Sequence, residues 1–128
     1  MRFLSIYQSA ETGVPPTAEQ MAEMQRFIEE MQSTGALLAT EGCLPSALGA
    51  RVRLSGGDLT VTDGPFTESK ELVAGFALLQ AGSREEAVEL TKRFLKVAGD
   101  GVCEIRQVYD GSDCVPALDA AQAAAGVA

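Results

Sequence analysis

Apolar and polar residues alternate from Arg2 to Tyr7, with Leu4 and Ile6 on one side of the pattern. A period of two is typical of a β-strand, so this segment predicts the first strand. After a loop with two adjacent prolines, the apolar spacing changes to that of a helix, and its apolar stripe is expected to lie in the core. The residues of this stripe are Met21, Met24, Ile28 and Met31.

Two helices are expected, and each has its own start signal. Thr17 and Gln20 form a capping box, and Gly35 supplies a stop for the first helix. Ser83 and Glu86 form a second capping box. The predicted buried stripe of the second helix consists of Ala87, Val88, Thr91, Phe94, Leu95 and Ala98.

Five further segments are predicted to be strands. Residues 36–40 are short and apolar, and residues 102–109 alternate. A Gly-Gly-Asp turn at residues 56–58 separates two alternating segments, which indicates a β-hairpin. Residues 72–81 are apolar on both faces, so each face of this strand needs a cover.

This order of elements predicts an α+β fold. It is a ferredoxin-like, split βαβ antiparallel sheet with two helices on one face and an extra β-hairpin. Two helices cover only one face of the sheet, and a large apolar surface on the other face usually marks an interface. We therefore expect a homodimer.

The turn after the hairpin, Asp63-Gly64-Pro65-Phe66, is the most distinctive local sequence. Asp and Gly favour tight turns, Pro65 fixes φ, and Phe66 can anchor the loop in apolar surroundings. The Gly64–Pro65 bond is expected to be trans, as most X–Pro bonds are. Continuing the strand pattern places Asp63 on the apolar side, where a carboxylate must be hydrogen-bonded, ion-paired or protonated.

Composition excludes several classes of function. The net charge is −8 with scattered Lys and Arg, so nucleic acid is not an expected partner. No signal peptide and no apolar run of membrane length is seen, so no membrane is expected and the cytoplasm is the predicted location. The chain has no His, which excludes Ser-His-Asp and Cys-His catalysis. Its three Cys residues, an odd number far apart, fit reduced thiols, and no metal site is expected.

The tetrad at 63–66, followed by Glu68-x-Lys70-Glu71 and Gly75-Phe76, resembles the YciI-related family in its DGPF subgroup. The resemblance covers about residues 1–110, which are taken as one domain, with residues 111–128 as an Ala-rich tail. It implies a ferredoxin-like domain that pairs through its sheets into a dimeric α+β barrel. Relatives in the YciI branch are thought to use a His with an Asp, and this chain has no such His.

The candidate site is a cleft near the tetrad. Asp63 is the candidate general acid or base, since burial and nearby charge shift the pKa of a carboxyl group. Capping of its own loop is the structural alternative for Asp63, and a solvated ion pair is the alternative for Lys70. The candidate substrate-binding residues are Tyr7, Arg53, Phe66, Glu68, Lys70 and Glu71.

Three functions remain open from the sequence. The first is a small-molecule enzyme that needs no cofactor and performs proton transfer, of isomerase, lyase or hydrolase type. The second is a non-catalytic module that binds or senses a metabolite. The third is a protein-interaction module linked to transcription.

Overall fold

The computed structural model describes residues 1–109 of the chain, and the Ala-rich tail lies outside the described residues. A short 3₁₀ turn lies at Ser46–Leu48. The other elements, in chain order, are β1 (Arg2–Ser9), α1 (Ala18–Ser33), β2 (Leu37–Gly42), β3 (Ala50–Ser55), β4 (Asp58–Asp63), β5 (Leu72–Gln80), α2 (Arg84–Ala98) and β6 (Val102–Gln107).

Four of these strands form an antiparallel sheet in the order β2-β5-β1-β6. Each half of the fold is a strand, a helix and a strand, and the first strands of the two halves, β1 and β5, are the central neighbours. This is the ferredoxin-like α+β arrangement predicted from the order of elements, and that prediction is confirmed.

The core lies between the helices and one face of the sheet, here called the inner face. Phe3 pairs with Leu79, and Leu79 also pairs with Leu37 on the edge strand. These side chains meet Met31 of α1 and Ala87 of α2 in one buried cluster. The core is therefore small and lies toward one end of the sheet.

The opposite face, here called the outer face, carries the alternate side chains of the same strands. Leu4 pairs with Leu78, and Ile6 pairs with Phe76. No described element packs on this face, and Phe76 is 39% exposed. The prediction that β5 presents an apolar surface on its second face is therefore confirmed for the single chain.

Both helices begin as the sequence predicts, but the second cap differs in detail. Thr17 and Gln20 make the reciprocal bonds of a capping box. At α2 the Ser83 hydroxyl accepts from the Glu86 backbone N–H, whereas the Glu86 carboxylate accepts from the N–H of Gly82. The carboxylate reaches one residue further back because Gly82 presents an N–H that has no partner in the helix.

The hairpin of β3 and β4 forms a separate two-stranded sheet. Gly56 and Gly57 have φ of 58° and 87°, which glycine adopts readily, and they make the predicted turn. Val52 pairs with Val61, one residue along from the pair of Arg51 with Thr62. Every residue of both strands is exposed.

The Gly64–Pro65 peptide bond is cis, so the expectation of a trans bond was wrong. The trans preference of an X–Pro bond is only about 0.5–1 kcal/mol, which local contacts readily outweigh. Such contacts are present here, because Gly64 N–H donates to the Gly49 carbonyl at 3.0 Å and Phe66 is buried.

Candidate functional site

A cavity of about 500 Å³ lies between the two helices and the inner face of the sheet. The wall from α2 includes Leu90 and Phe94, and the floor from β1 and β5 includes Ser5, Tyr7 and Ala77. Most of the lining side chains are aliphatic, aromatic or methionine. The sheet and helices thus enclose a largely apolar space next to the small core.

The methionine-rich stripe of α1 forms another wall of this cavity. Met31 is 3% exposed and belongs to the core, whereas Met21 is 59% exposed. Met24 and Ile28 are half-buried between these extremes, and all four residues line the cavity. The expectation that the whole stripe is core was therefore wrong. Helical spacing identifies the inward face of α1, but the distance from that face to the sheet depends on the tertiary structure.

Tyr7 is the one predicted site residue that lines the cavity. Its hydroxyl donates to the carbonyl oxygens of Asp100 at 3.0 Å and Gly99 at 3.2 Å, and its ring packs edge-on against Phe94 at 5.2 Å. Burial raises the pKa of the Tyr7 phenol. At neutral pH this phenol is protonated, so it can act as a hydrogen-bond donor and not as a base.

The threonine hydroxyl groups of the lining are also engaged. Thr91 Oγ1 donates to the Ala87 carbonyl and Thr40 Oγ1 to the Phe76 carbonyl, each at 2.9 Å. Ser5 is buried in the floor. Burial raises the pKa of the Cys103 thiol more than the nearby Ser5 side chain lowers it. Polar atoms in the cavity therefore act first in holding the protein together.

Two other predicted residues, Phe66 and Glu68, belong to the loop after the hairpin, which is organised around Arg51. The guanidinium carbon lies 3.9 Å from the centre of the Phe66 ring, and the same group pairs with Glu68 and donates to Ser69 Oγ at 3.2 Å. The Glu68 backbone N–H and then the Arg51 side chain lower the pKa of the Glu68 carboxyl. Glu68 therefore pairs with Arg51. The sequence alternative for Lys70, a solvated ion pair with Glu71 or Glu68, did not include this partner.

A second set of contacts fixes the base of the hairpin. Glu11 accepts from the Ser46 hydroxyl at 2.5 Å and from the Ser46 N–H at 2.6 Å. These two bonds, the hydroxyl first, lower the pKa of the Glu11 carboxyl. Phe66 N–H lies 3.3 Å from the same Ser46 oxygen. Sequence reasoning missed Glu11 and Ser46, since neither lies near the tetrad in the chain and neither belongs to a regular spacing.

Asp63, Arg53, Lys70 and Glu71 are exposed and do not line the cavity. Within residues 1–109 their side chains make no ion pair. Asp63 follows the apolar phase of β4 as predicted, but that side of the hairpin is open to solvent in the single chain. The structure thus separates the predicted site into a loop cluster and a distant cavity, and a catalytic role for Asp63 stays a prediction.

Within residues 1–109, no group of three or more His, Cys, Asp or Glu side chains is arranged to hold a metal ion. Neither described helix has the length and apolar composition needed to cross a membrane.

Comparison with known proteins places these features in context. The family model of the YCII-related domain matches residues 1–112. An uncharacterized protein from Rhizobium meliloti strain 1021 is 32% identical over 71 residues, which are 56% of this chain and 54% of the relative. This chain thus spans about half the length of that curated relative.

One solved structure is similar over most of its length. It is the 5-chloro-2-hydroxyhydroquinone dehydrochlorinase TftG from Burkholderia phenoliruptrix AC1100, in complex with 2,5-dihydroxybenzoquinone. The TM-score is 0.53 at 14% sequence identity, and the match covers 87% of this chain and 96% of that chain. At this identity the likeness shows a shared fold.

Proposed function

Because this chain belongs to the YCII-related domain family, as its motifs predicted, we propose that it binds a small organic molecule in the cavity between the helices and the sheet. We propose further that it acts on this molecule by proton transfer without a cofactor. Membership of the DGPF subgroup, suggested by the tetrad at 63–66, stays a prediction.

The observation that carries the proposal is the cavity itself. Its volume of about 500 Å³ falls within the range of roughly 300–1,000 Å³ that is usual for small-molecule sites. Apolar side chains dominate the lining and a few polar groups converge on the floor, which is also the usual composition of such sites. A well-packed core of this size would not leave such a space.

The lining favours a flat ring compound that carries one or two oxygen substituents. Phe27, Phe94 and the Tyr7 ring offer aromatic surfaces, and the methionines of α1 adapt to irregular apolar shapes. Ser5 supplies a hydroxyl in the floor. The ligand of TftG, a dihydroxybenzoquinone, has this general chemistry, which supports the choice of ligand class.

Proton transfer needs a base, and two carboxylates are candidates. Glu41 lines the cavity and is exposed. Asp63 lies on the hairpin, outside the cavity of the single chain, and reaches a bound molecule only if a second chain or a movement of the hairpin brings it there. The similarity in fold to a dehydrochlorinase, an elimination enzyme, supports this class of reaction.

Binding without turnover is the alternative, and one observation favours it. The hydroxyls of Tyr7, Thr40 and Thr91 all donate hydrogen bonds to backbone carbonyls, so these groups of the cavity wall are already engaged within the protein. A module that recognises a metabolite needs only shape and a few hydrogen bonds. Analysis of the ligand by NMR after incubation with the protein separates the two hypotheses, because a binding module returns it unchanged.

The binding proposal is tested by filling the cavity. Ala98 lines it from the end of α2, and Ala22 is an exposed residue of α1 that does not line it. Ala98→Leu should weaken binding of 2-naphthol or 2,5-dihydroxybenzoquinone by about tenfold or more, which is 1.4 kcal/mol, in isothermal titration calorimetry. Ala22→Leu is the matched control and should bind as the wild type does. Equal affinities of the two variants, or no binding of either probe to the wild type, would contradict the proposal.

Catalysis is tested by replacing each candidate base with its amide. Asp63→Asn and Glu41→Gln remove a charge while keeping the shape of the side chain. Loss of turnover of a bound probe, with binding retained, in one variant assigns the base to that residue. Full turnover in both variants would remove both carboxylates from the mechanism.

We also propose that two copies of the chain pair through the outer face of the sheet. The supporting observation is the apolar surface around Leu4, Ile6, Phe76 and Leu78, on which no described element packs. Light scattering at micromolar concentration should give twice the mass of one chain. A single-chain mass there would refute the pairing.

A further inference from the structure

The hairpin of β3 and β4 is the least covered element of the described chain. Its apolar residues form two cross-strand pairs, Val52 with Val61 and Leu54 with Leu59. These four side chains lie on one face and are between 67% and 71% exposed. We call this surface the hairpin face.

A two-stranded sheet with such a surface is not stable by itself. An isolated hairpin in water is marginal at best, and stability usually needs further strands or a packed apolar face. Among residues 1–109, β3 and β4 pair only with each other. The loop contacts of Arg51 and Ser46 hold the base of the hairpin, but no described element covers the hairpin face. A stable hairpin therefore needs a further surface as its cover.

We infer that the hairpin is a docking arm whose face packs on a second copy of this chain. This inference rests on the pairing proposed above, and it extends that pairing from the outer face of the sheet to the hairpin. In a two-fold pair each contact is made twice, so the docking of one hairpin on the other copy is matched by the docking of the other copy's hairpin in return.

The charge of the hairpin does not oppose a second copy as the occupant. The whole chain carries a net charge of −8, so two copies repel each other at long range. The hairpin is an exception, because residues 50–63 contain two arginines and two aspartates and are neutral. Because the hairpin is neutral, it is not repelled by the negative charge of another copy of the chain.

The area that a stable pair buries also favours a role for the hairpin face. The four side chains of the hairpin face are each 67–71% exposed, and Phe76 of the outer face is 39% exposed. A stable complex usually buries about 800 Å² per partner, so a pair that covers both surfaces comes nearer to this area than a pair that covers the outer face alone.

Two adjacent positions of β4 provide a matched test. Val61 lies on the hairpin face, whereas Thr62 lies on the opposite face of the same strand, and both are exposed in the single chain. Val61→Lys and Thr62→Lys add the same side chain one residue apart. If no partner covers the hairpin, both substitutions should have the same small effect on the dissociation constant of the pair.

With the hairpin docked, Val61→Lys should raise the dissociation constant of the pair by about 100-fold in sedimentation equilibrium, since the change enters twice at roughly tenfold each. Thr62→Lys should leave the constant within about threefold. Circular dichroism and probe binding in the cavity check that both variants fold. As a second measurement, amide exchange in residues 50–63 of the wild type should slow as protein concentration rises through the dissociation constant.

The outcomes separate this inference from the pairing on which it rests. A wild-type chain that stays single at all concentrations would overturn both. A wild-type pair that Val61→Lys and Thr62→Lys weaken equally, with hairpin exchange independent of concentration, would overturn the docking arm and leave the pairing through the sheet intact. Slow hairpin exchange in the single chain would show that another segment of the same chain is the cover.

Discussion

Replacing Gly64 with alanine tests how tightly the signature turn is built. A β-carbon at this position would overlap the Ser46 carbonyl oxygen and lie 2.6 Å from the Ser46 carbonyl carbon and 3.3 Å from the Ala47 nitrogen. These are backbone atoms, so no side chain can rotate away to make room. The turn at Gly64 and the 3₁₀ turn must move apart, which strains the bond from Gly64 N–H to the Gly49 carbonyl.

The cost follows from the overlap. Forcing one extra carbon into a well-packed place costs about 1–3 kcal/mol, and a backbone neighbour puts Gly64→Ala toward the upper end. Gly49, in the same loop, is a matched control. A β-carbon there meets the Ser46 carbonyl oxygen at 3.5 Å, an ordinary contact. Its φ of −109° suits any residue, so Gly49→Ala should be neutral or should stabilise by up to about 1 kcal/mol.

Thermal unfolding followed by circular dichroism measures the difference. For a domain of about this size 1 kcal/mol shifts Tm by about 4–8 °C, so Gly64→Ala should melt at least 8 °C below the wild type. Protein concentration must be equal in all samples, because pairing of chains would raise Tm by mass action. A Gly64→Ala protein that melts within 2–3 °C of the Gly49→Ala protein, roughly the shift from 0.5 kcal/mol, would refute the close approach of the two turns.

Two further predictions concern charged side chains that contact the 3₁₀ turn or the signature turn. The folded-state pKa of the Glu11 carboxyl is lowered, so its contribution to the free energy of unfolding is complete above the ordinary pKa near 4.5 and is lost as pH falls through the lowered pKa. Glu11→Gln should therefore reduce Tm at pH 7 but have the same Tm as the wild type at strongly acid pH. A difference in Tm that does not change with pH would disprove this linkage. Arg51→Gln removes the contact over the Phe66 ring and should lower the free energy of unfolding in urea by at least about 0.5–1 kcal/mol. Arg53→Gln, on the same strand, should change it by no more than about 0.5 kcal/mol. Equal effects of the two variants would contradict the role given to Arg51.

The elements of the fold were predictable because their signals are local. The capping box at Thr17, the paired glycines of the hairpin turn and the two-residue period of β1 each specify a conformation within a few residues. The order of these elements then leaves few ways to build a sheet with two helices on one face. The ferredoxin-like fold therefore followed from the sequence without knowledge of any long-range contact.

The candidate site was less predictable. The tetrad at 63–66 led to the prediction of a site in a loop whose residues mainly make contacts with neighbouring parts of the same loop region. The cavity lies elsewhere, between the helices α1 and α2 and the sheet. Tyr7 was predicted as a site residue, and it lines the cavity because its parity on β1 points it inward. Arg51, Glu11 and Ser46 were missed as site-forming residues, since their partners are 15 to 35 residues away in the chain.

The sequence by itself determined which residues face inward, where each helix begins, and which chemistries the lack of histidine excludes. The tertiary structure decided that the inward stripe of α1 lines a cavity, that Glu68 pairs with Arg51, and that no element within residues 1–109 covers the hairpin. The physical reason is that periodicity and capping act within one or two turns of chain. Enclosed space, ion pairing and exposed surface instead depend on distances between elements that are remote in sequence.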